Sequence, residues 1–207
     1  MNIFKEILEW IICFIIAIVI ALLVTHFLVT QTVVKQTSMY PTLEENQRLI
    51  INRSFRITGK KPNRGDIVTF EAPTNIYTEN NVNQNNPIAI YSKKPQGLVN
   101  KFFYYVLEKT KMSYIKRVIA LEGELVEIKD GKVYINGEIL KEEYLNANVT
   151  TKSDVFNNFV VPKGYIFVLG DNRGGSTDSR ELGCIPLEKL EGIAVFRIWP
   201  LNKFTKY

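Results

Sequence analysis

An uninterrupted apolar segment near the start of the chain differs from everything that follows it. From Trp10 to Val29 the sequence contains no Asp, Glu, Lys or Arg. An α-helix needs roughly 20 apolar residues to cross the hydrocarbon core of a bilayer, so the segment predicts a transmembrane helix. A cleaved secretory signal is the alternative. A retained anchor is favoured, because the run is long for such a signal and no A-x-A-like pattern follows it.

Short segments with alternating apolar and polar residues make up most of the remaining chain, and this period of two is typical of half-buried β-strands. Asp130-Gly131 and Asn136-Gly137 are residue pairs that favour two-residue hairpin turns. The predicted strands are 31–35, 48–52, 67–70, 114–119, 126–129, 132–135, 138–140, 164–169 and 193–199. The pattern therefore predicts a mainly β protein, with an N-terminal transmembrane helix followed by a β-rich domain of short antiparallel strands and hairpins.

One polar segment interrupts this pattern. Residues 73–95 are rich in Asn and are punctuated by Pro73, Pro87 and Pro95, a composition that predicts a surface excursion. The aromatic segment 98–107 comes next. It fits either a short helix that covers the core or a patch that rests on lipid headgroups, and core packing is favoured.

Charge and cysteine content narrow the class of protein. The formal net charge of +5 at pH 7 suits a protein that works beside anionic lipid. Nucleic-acid binding is disfavoured, because the sequence has no basic cluster and no basic stripe with interleaved aromatic residues. Cys13 lies in the apolar run and Cys184 lies near the other end of the chain, so we expect no disulfide and no cysteine-based zinc site.

Histidine is almost absent, and this restricts the possible catalytic chemistry. The single histidine, His26, lies inside the apolar run, so a Ser-His-Asp arrangement outside the membrane is excluded within one chain. A serine enzyme with this sequence would need a lysine as its base. Ser38 and Lys116 are the candidate pair. Pro41 prevents a helix from running through Ser38, and apolar, β-branched residues surround Lys116.

A lysine acts as a general base only when its amine has been desolvated. Its usual pKa near 10.4 leaves less than about one amine in a thousand neutral at pH 7, and burial lowers that pKa by up to about 3 to 5 units. The neighbours of Lys116 fit a strand with one apolar face, and Arg117 would then point the other way, toward solvent. Taken alone, Lys116 is more simply a surface lysine.

Two further motifs have weaker alternative interpretations. Ser113 and Lys116 match S-x-x-K of penicillin-recognising enzymes, but the companion motifs S-D-N and K-T-G do not occur, and the local sequence favours a strand over the helix that motif needs. The polar segment 170–180 predicts a structured loop at a strand end. It is not a phosphate-binding loop, because Ser176 stands where the lysine is required, nor a calcium loop, because Leu182 replaces the closing glutamate.

Taken in order along the chain, these motifs resemble those of bacterial type I signal peptidases over nearly the whole length. The matching features are the N-terminal anchor, Ser38-Met39-Tyr40-Pro41-Thr42-Leu43, Arg64-Gly65-Asp66-Ile67-Val68, Tyr114-Ile115-Lys116-Arg117-Val118-Ile119, Gly170-Asp171-Asn172-Arg173 through Ser176, Asp178 and Arg180, and Phe196-Arg197-Ile198-Trp199-Pro200. Each motif alone is modest, but the first four, in order behind an anchor, are specific.

The resemblance implies a membrane-bound serine endopeptidase that cleaves N-terminal signal peptides from exported preproteins after small residues, of the Ala-X-Ala type. It implies a signal-peptidase-type domain over 31–207, outside the cytoplasm, behind a single-pass anchor in the cell membrane over 1–30. Residues 72–112 would form a surface insertion. The expected partners are the preproteins and membrane lipid. We expect a monomer with no cofactor, no metal and no nucleic acid.

The resemblance also implies roles for individual residues. Ser38 would be the nucleophile and Lys116 the general base, with the Ser38 backbone N–H donating to the oxyanion. Ser176 would help to hold the lysine amine, while Asp178 and Arg180 would form a supporting ion pair. The expected walls of the substrate pockets are Val34, Gln36, Met39, Tyr114 and Ile115.

Two departures from the family pattern keep alternatives open. The family's second oxyanion donor is often a hydroxyl two positions before the nucleophile, and Gln36 stands there, whose side-chain NH₂ could donate instead. Where the family often has Gly-x-Pro-Gly-Asp, residues 120–124 of this chain are Ala-Leu-Glu-Gly-Glu. Because the turn glycine is retained as Gly123, we expect the turn to persist. The alternatives are a pilin-processing or self-cleaving relative, and a non-catalytic membrane-anchored binding domain.

Overall fold

A computed structural model describes residues 3–78, 86–92, 95–105 and 111–207. Its first element is the α-helix α1 (Ile3–Phe27), which is long and apolar enough to cross a membrane and has no residue buried against the rest of the chain. The predicted segment extended to Val29, but the helix ends two residues earlier. Val29 pairs with Asn52 instead and so begins the first strand.

Short antiparallel strands form most of the regular secondary structure after α1, which confirms the predicted fold class. Numbered along the chain, they are β1 (Val29–Val33), β2 (Arg48–Asn52), β3 (Ile67–Glu71), β4 (Ser113–Ala120), β5 (Leu125–Lys129), β6 (Lys132–Ile135), β7 (Glu138–Ile139), β8 (Asn158–Val160), β9 (Tyr165–Leu169), β10 (Ile185–Pro186), β11 (Leu190–Trp199) and β12 (Thr205–Lys206). The remaining helices are short: α2 (Phe55–Thr58), α3 (Leu98–Tyr105), α4 (Ser179–Leu182) and the 3₁₀ helices Leu187–Lys189 and Leu201–Lys203.

The strands form two sheets. The larger has the order β1-β2-β11-β3-β4-β9-β10, with β12 paired to β11, and the smaller has the order β7-β6-β5-β8. In the smaller sheet both predicted two-residue hairpin turns are present. Asp130 and Asn136 have φ angles of 52° and 53°, and the glycine that follows each also has a positive φ. These are the angles that a two-residue turn of this hand requires.

Buried aliphatic and aromatic side chains on the inner faces of the strands form the core. One cluster joins the two sheets around Phe156, Phe159 and Phe167. A second lies on the β3, β4 and β9 side. A third contains Met39 and Leu43, so the segment that carries Ser38 is itself packed into the body of the protein.

The segment between β3 and β4 differs from its prediction in two respects. Residues 98–105 do form a helix, α3, but none of its residues is buried, so the favoured interpretation that it packs on the core was wrong. Predicted residues 106 and 107 lie outside the described part of the chain. Upstream, Ile88 forms a parallel bridge with Cys184, and Ala89 is a buried member of the second core cluster. The prediction of a surface excursion over residues 73–95 was therefore wrong for residues 88 and 89, which backbone pairing with Cys184 holds against the core.

Candidate active site

Ser38 lies in the turn that follows β1, and a second loop holds its backbone in place. The Asn172 backbone N–H donates to the Ser38 carbonyl at 3.0 Å, and the Asn172 side-chain amide donates to the Thr37 carbonyl at 3.2 Å. The next residue, Met39, is completely buried. Ser38 itself is 5% exposed, so it sits at the floor of a depression on a backbone fixed from both sides.

Lys116 reaches the same point from β4. Its amine nitrogen Nζ lies 2.7 Å from Ser38 Oγ, and the lysine is only 1% exposed. The strand pairs Lys116 with Val68 of β3, and the Tyr114 ring lies 5.3 Å from the amine. The two residues singled out in the sequence, 78 positions apart, are therefore in hydrogen-bond contact. The simpler interpretation of Lys116 as a surface lysine is wrong.

The burial of Lys116 changes its proton affinity. Desolvation, which disfavours the ammonium form, lowers the pKa of Lys116 from 10.5 to about 8. The guanidinium of Arg180 also lowers it, whereas the carboxylates of Asp178 and Asp171 oppose the shift. At pH 7 about one amine in ten is then neutral, against roughly one in three thousand at the ordinary pKa. The amine has the proton affinity that a general base needs near neutral pH.

The loop from 170 to 180 packs against both groups. A Cβ placed on Gly170 would overlap the Ser176 hydroxyl and the Ser38 carbonyl oxygen, so only glycine allows this close approach. The Asp178 carboxylate accepts from Arg180 Nε at 2.8 Å and Nη2 at 2.9 Å, and also from the Gly170 N–H at 2.9 Å. The predicted Asp178–Arg180 ion pair is therefore present as a buried, two-point contact.

Ser176 also lies at this site, beside Gly170. Its hydroxyl is buried, and among the described residues it has no hydrogen-bond partner. The structure thus contains no hydrogen bond between Ser176 and Lys116, although an unpaired hydroxyl at this site is available to accept one. That Ser176 helps to hold the amine stays a prediction.

Arg117 is the clearest error of the sequence-based prediction. It was expected in solvent but is buried, and its guanidinium Nε and Nη2 donate to Asp171 at 2.9 and 2.6 Å. The Thr42 hydroxyl also donates to Asp171. Asp171 thus connects Arg117 on β4 with Thr42, which lies just after Ser38. The Arg117–Asp171 ion pair therefore helps to fix Lys116 and Ser38 relative to one another. In the sequence, only the polar character of the 170–180 loop indicated that Asp171 could support the site. No local pattern identifies Arg117, 54 positions away, as its partner.

Two depressions meet near Ser38. The smaller, of about 380 Å³, is lined by Ser38, Lys116 and the exposed Gln36, among others. The larger, of about 620 Å³, lies between residues 32–36 and 111–115. Of the predicted pocket walls, Val34, Gln36, Tyr114 and Ile115 line the larger groove, whereas the fully buried Met39 lines neither.

One edge of β4 is open beside the larger groove. Residues 113–117 pair with β3 on one side, but pairing with β9 on the other side begins only at Arg117. Within the described part of the chain, the other edge of 113–116 has no strand partner. The β4 strand also removes the S-x-x-K alternative, because Ser113 is exposed while Lys116 is buried, three positions along a strand rather than one turn along a helix.

Two remaining expectations concern the turn after β4 and the absence of metal. Gly123 has a φ of 83° and its N–H donates to Val161, so the turn persists as expected. Glu124 closes it by accepting from the Leu121 N–H at 2.7 Å. No group of three or more His, Cys, Asp or Glu side chains suited to a metal ion occurs among the residues described. That the protein needs no metal or cofactor stays a prediction.

A serine hydroxyl in contact with a buried lysine amine, on a β scaffold behind an apolar helix, is typical of serine hydrolases that use a lysine in place of histidine. Comparison with known proteins identifies the family. The family described as signal peptidase, peptidase S26, matches residues 7–199. The chain belongs to this family.

Two relatives match nearly the whole chain. Signal peptidase I T of Bacillus subtilis (strain 168) is 34% identical over 208 residues, which cover 96% of this chain and 89% of that protein. Signal peptidase IB of Staphylococcus aureus (strain COL) is 33% identical over 215 residues, which cover 97% of this chain and 93% of that protein. A crystal structure of a signal peptidase I from Enterococcus faecalis V583 matches with 29% identity and a TM-score of 0.42, covering 65% of this chain and 97% of that chain.

Proposed function

We propose that the protein is a membrane-bound signal peptidase that cleaves N-terminal signal peptides from exported preproteins after small residues. The observation that carries the proposal is the 2.7 Å contact between the amine of Lys116 and the hydroxyl of Ser38 in a buried setting. Membership of the signal peptidase family supports the substrate class. The reaction is hydrolysis of one peptide bond through a covalent acyl-enzyme.

In the first step the neutral amine of Lys116 takes the proton of the Ser38 hydroxyl while the Ser38 oxygen attacks the scissile carbonyl carbon. The ammonium then gives this proton to the departing amine, and the C–N bond breaks. In the second step the same amine takes a proton from water, which attacks the acyl-enzyme carbonyl. The ammonium then returns this proton to the Ser38 oxygen as the ester C–O bond breaks and the new carboxylate leaves. Ser176, Asp178 and Arg180 keep the lysine amine in place by packing and charge.

The oxyanion of the tetrahedral intermediate needs hydrogen-bond donors. The Ser38 backbone N–H has no acceptor among the described residues, which leaves it available for this role. Gln36 is exposed in the same depression, so its side-chain NH₂ would be the second donor. Losing one such donor typically lowers kcat by about a hundredfold or more.

The open edge of β4 is suited to an extended peptide. A substrate strand that adds to residues 113–116 would gain backbone hydrogen bonds, while pockets for alternate side chains would select its sequence. Val34, Tyr114 and Ile115 would form shallow apolar walls that admit small residues and exclude large ones. Met39, which follows Ser38 and is fully buried, would pack behind these pockets and would not touch the peptide.

The N-terminal helix would place this site at the membrane. We propose a single-pass anchor within 1–30 and a peptidase domain over 31–207 outside the cytoplasm, in contact with lipid and working as a monomer without metal or cofactor. Segment 72–112 would be an insertion relative to the core of the family. Anchoring raises the effective concentration of enzyme where preproteins emerge, without any new contact.

The test is cleavage of a preprotein by the detergent-solubilised full chain, followed by mass measurement of both products. Ser38→Ala and Lys116→Ala should each abolish the cut, whereas Ser92→Ala and Lys132→Ala, which remove an exposed serine and an exposed lysine, should retain it. Turnover by either dyad variant would rule out the mechanism. Cleavage of the chain itself with no cut in the preprotein would instead favour the self-processing alternative.

A further inference from the structure

Helix α3 (Leu98–Tyr105) has the orientation opposite to that of an ordinary surface helix. In a soluble protein the apolar face of an amphipathic helix packs on the core. Here Leu98, Val99, Phe102 and Phe103 are all exposed, between 42% and 88%. At 3.6 residues per turn they occupy one continuous arc of roughly 140°. The apolar face therefore points away from the body of the protein.

The opposite side of α3 is attached to the body through a polar contact. The Tyr104 hydroxyl donates to Glu71 at the end of β3, and Tyr104 is the only half-buried residue of the helix. Lys189 donates to the other oxygen of Glu71 at 2.9 Å. Because this contact fixes which side faces inward, the outward direction of the four apolar side chains is a property of the folded chain.

The position of α3 relative to the membrane anchor suggests what covers this face. Tyr104 and Tyr105, at the end of α3, line the same depression as His26 and Phe27, at the end of α1. Arg56 Nη1 donates to the His26 carbonyl at 2.9 Å, so the end of the anchor is tied to the same side of the body. The end of α3 thus lies beside the end of the apolar helix α1.

The composition of the helix and its surroundings suits a lipid interface. Tyr and Lys are residue types found at the level of the headgroups. Lys101 is exposed on α3, and the Lys111 amine lies 4.4 Å from the centre of the Tyr104 ring. Exposed apolar side chains flanked by basic residues are the pattern of a helix that lies in the membrane surface.

We propose that α3 is a second membrane contact, whose apolar face, defined by Leu98, Val99, Phe102 and Phe103, enters the surface of the bilayer that holds α1. Lys111 and Met112, which follow α3 in the described chain, line the groove next to Ser38. Two attachments restrict the tilt of the domain that one helix would leave free. The groove is then held with its Lys111 end near the lipid surface.

The test measures the depth of single positions in the full-length protein. In a Cys13→Ala background, where the remaining Cys184 is fully buried, Phe102→Cys and the matched control Asn100→Cys each receive an environment-sensitive fluorophore. Asn100 is exposed on the same helix but lies outside the apolar arc. Both proteins are reconstituted in vesicles of phosphatidylcholine and phosphatidylglycerol in equal parts, and preprotein cleavage confirms that each is folded.

A lipid that carries a nitroxide near the top of its acyl chain then serves as quencher. We expect it to remove most of the fluorescence at position 102 and much less at position 100. Equal quenching at the two positions, or none at either, would overturn the proposal. A label at position 102 that reports an apolar environment without being quenched would also overturn it, because α3 would then be covered by protein rather than lipid.

Discussion

Replacing Lys116 with methionine should stabilise the protein while it abolishes catalysis. Methionine is unbranched and flexible like lysine and only one atom shorter, but it has no amine to desolvate. In the wild type the folded protein must hold this amine at 1% exposure, whereas the unfolded chain leaves it in water. The substitution therefore removes an unfavourable contribution that the wild type carries for the sake of its chemistry.

The size of the effect follows from the pKa of Lys116. Folding lowers it from 10.5 to about 8, and each unit corresponds to about 1.4 kcal/mol. At pH 7 the amine thus lowers the free energy of unfolding by about 3 kcal/mol relative to a side chain that does not titrate. Between pH 8 and pH 10.5 the unfolded chain binds more protons than the folded one, so the stability of the wild type rises with pH.

Chemical denaturation of both proteins in the same detergent, over a series of pH values, measures this difference. The advantage of Lys116→Met should be largest below pH 8 and should nearly vanish by pH 10.5. Lys132→Met, which removes an exposed lysine from β6, is the control and should show a difference that does not change with pH. A constant difference for Lys116→Met as well would show that the amine is hydrated in the folded protein.

Three other substitutions test the loop that supports the dyad. Gly170→Ala should lower kcat by about a hundredfold in the preprotein assay, because its Cβ would displace Ser38 or Ser176, and wild-type kcat would contradict this packing. Asp178→Asn should lower the free energy of unfolding by about 3 kcal/mol in urea, because Arg180 loses its buried charge partner, and unchanged stability would mean that the pair is solvated. Ser176→Ala should change stability by less than about 1 kcal/mol yet lower kcat, and an unchanged kcat would remove Ser176 from the site.

Much of the fold could be predicted because its signals are local. The apolar run identifies α1, and the pairs Asp130-Gly131 and Asn136-Gly137 set hairpin turns whose flanking strands formed within one residue of the predicted positions. The strands β8, β10 and β12 were missed, because each has only two or three residues. No pattern with a period of two can be read in so short a segment.

The burial of Lys116 could not be predicted from its neighbours in the sequence. From its neighbours alone, a surface lysine was the simpler interpretation, and only the order of several motifs along the chain indicated a dyad. The Arg117–Asp171 ion pair illustrates the same limit, since a charged residue after a buried one on a strand is ordinarily solvated. The third example is α3, where aromatic content suggested core packing but the described helix has no buried residue.

The pH dependence of kcat/KM for preprotein cleavage tests the central claim most directly. If a buried, neutral Lys116 activates Ser38, kcat/KM should rise about tenfold per pH unit at acidic and neutral pH and level off above pH 8. The same profile should appear in high salt, because burial rather than a surface charge sets the pKa. A rate that stays flat from mildly acidic to alkaline pH would contradict the account.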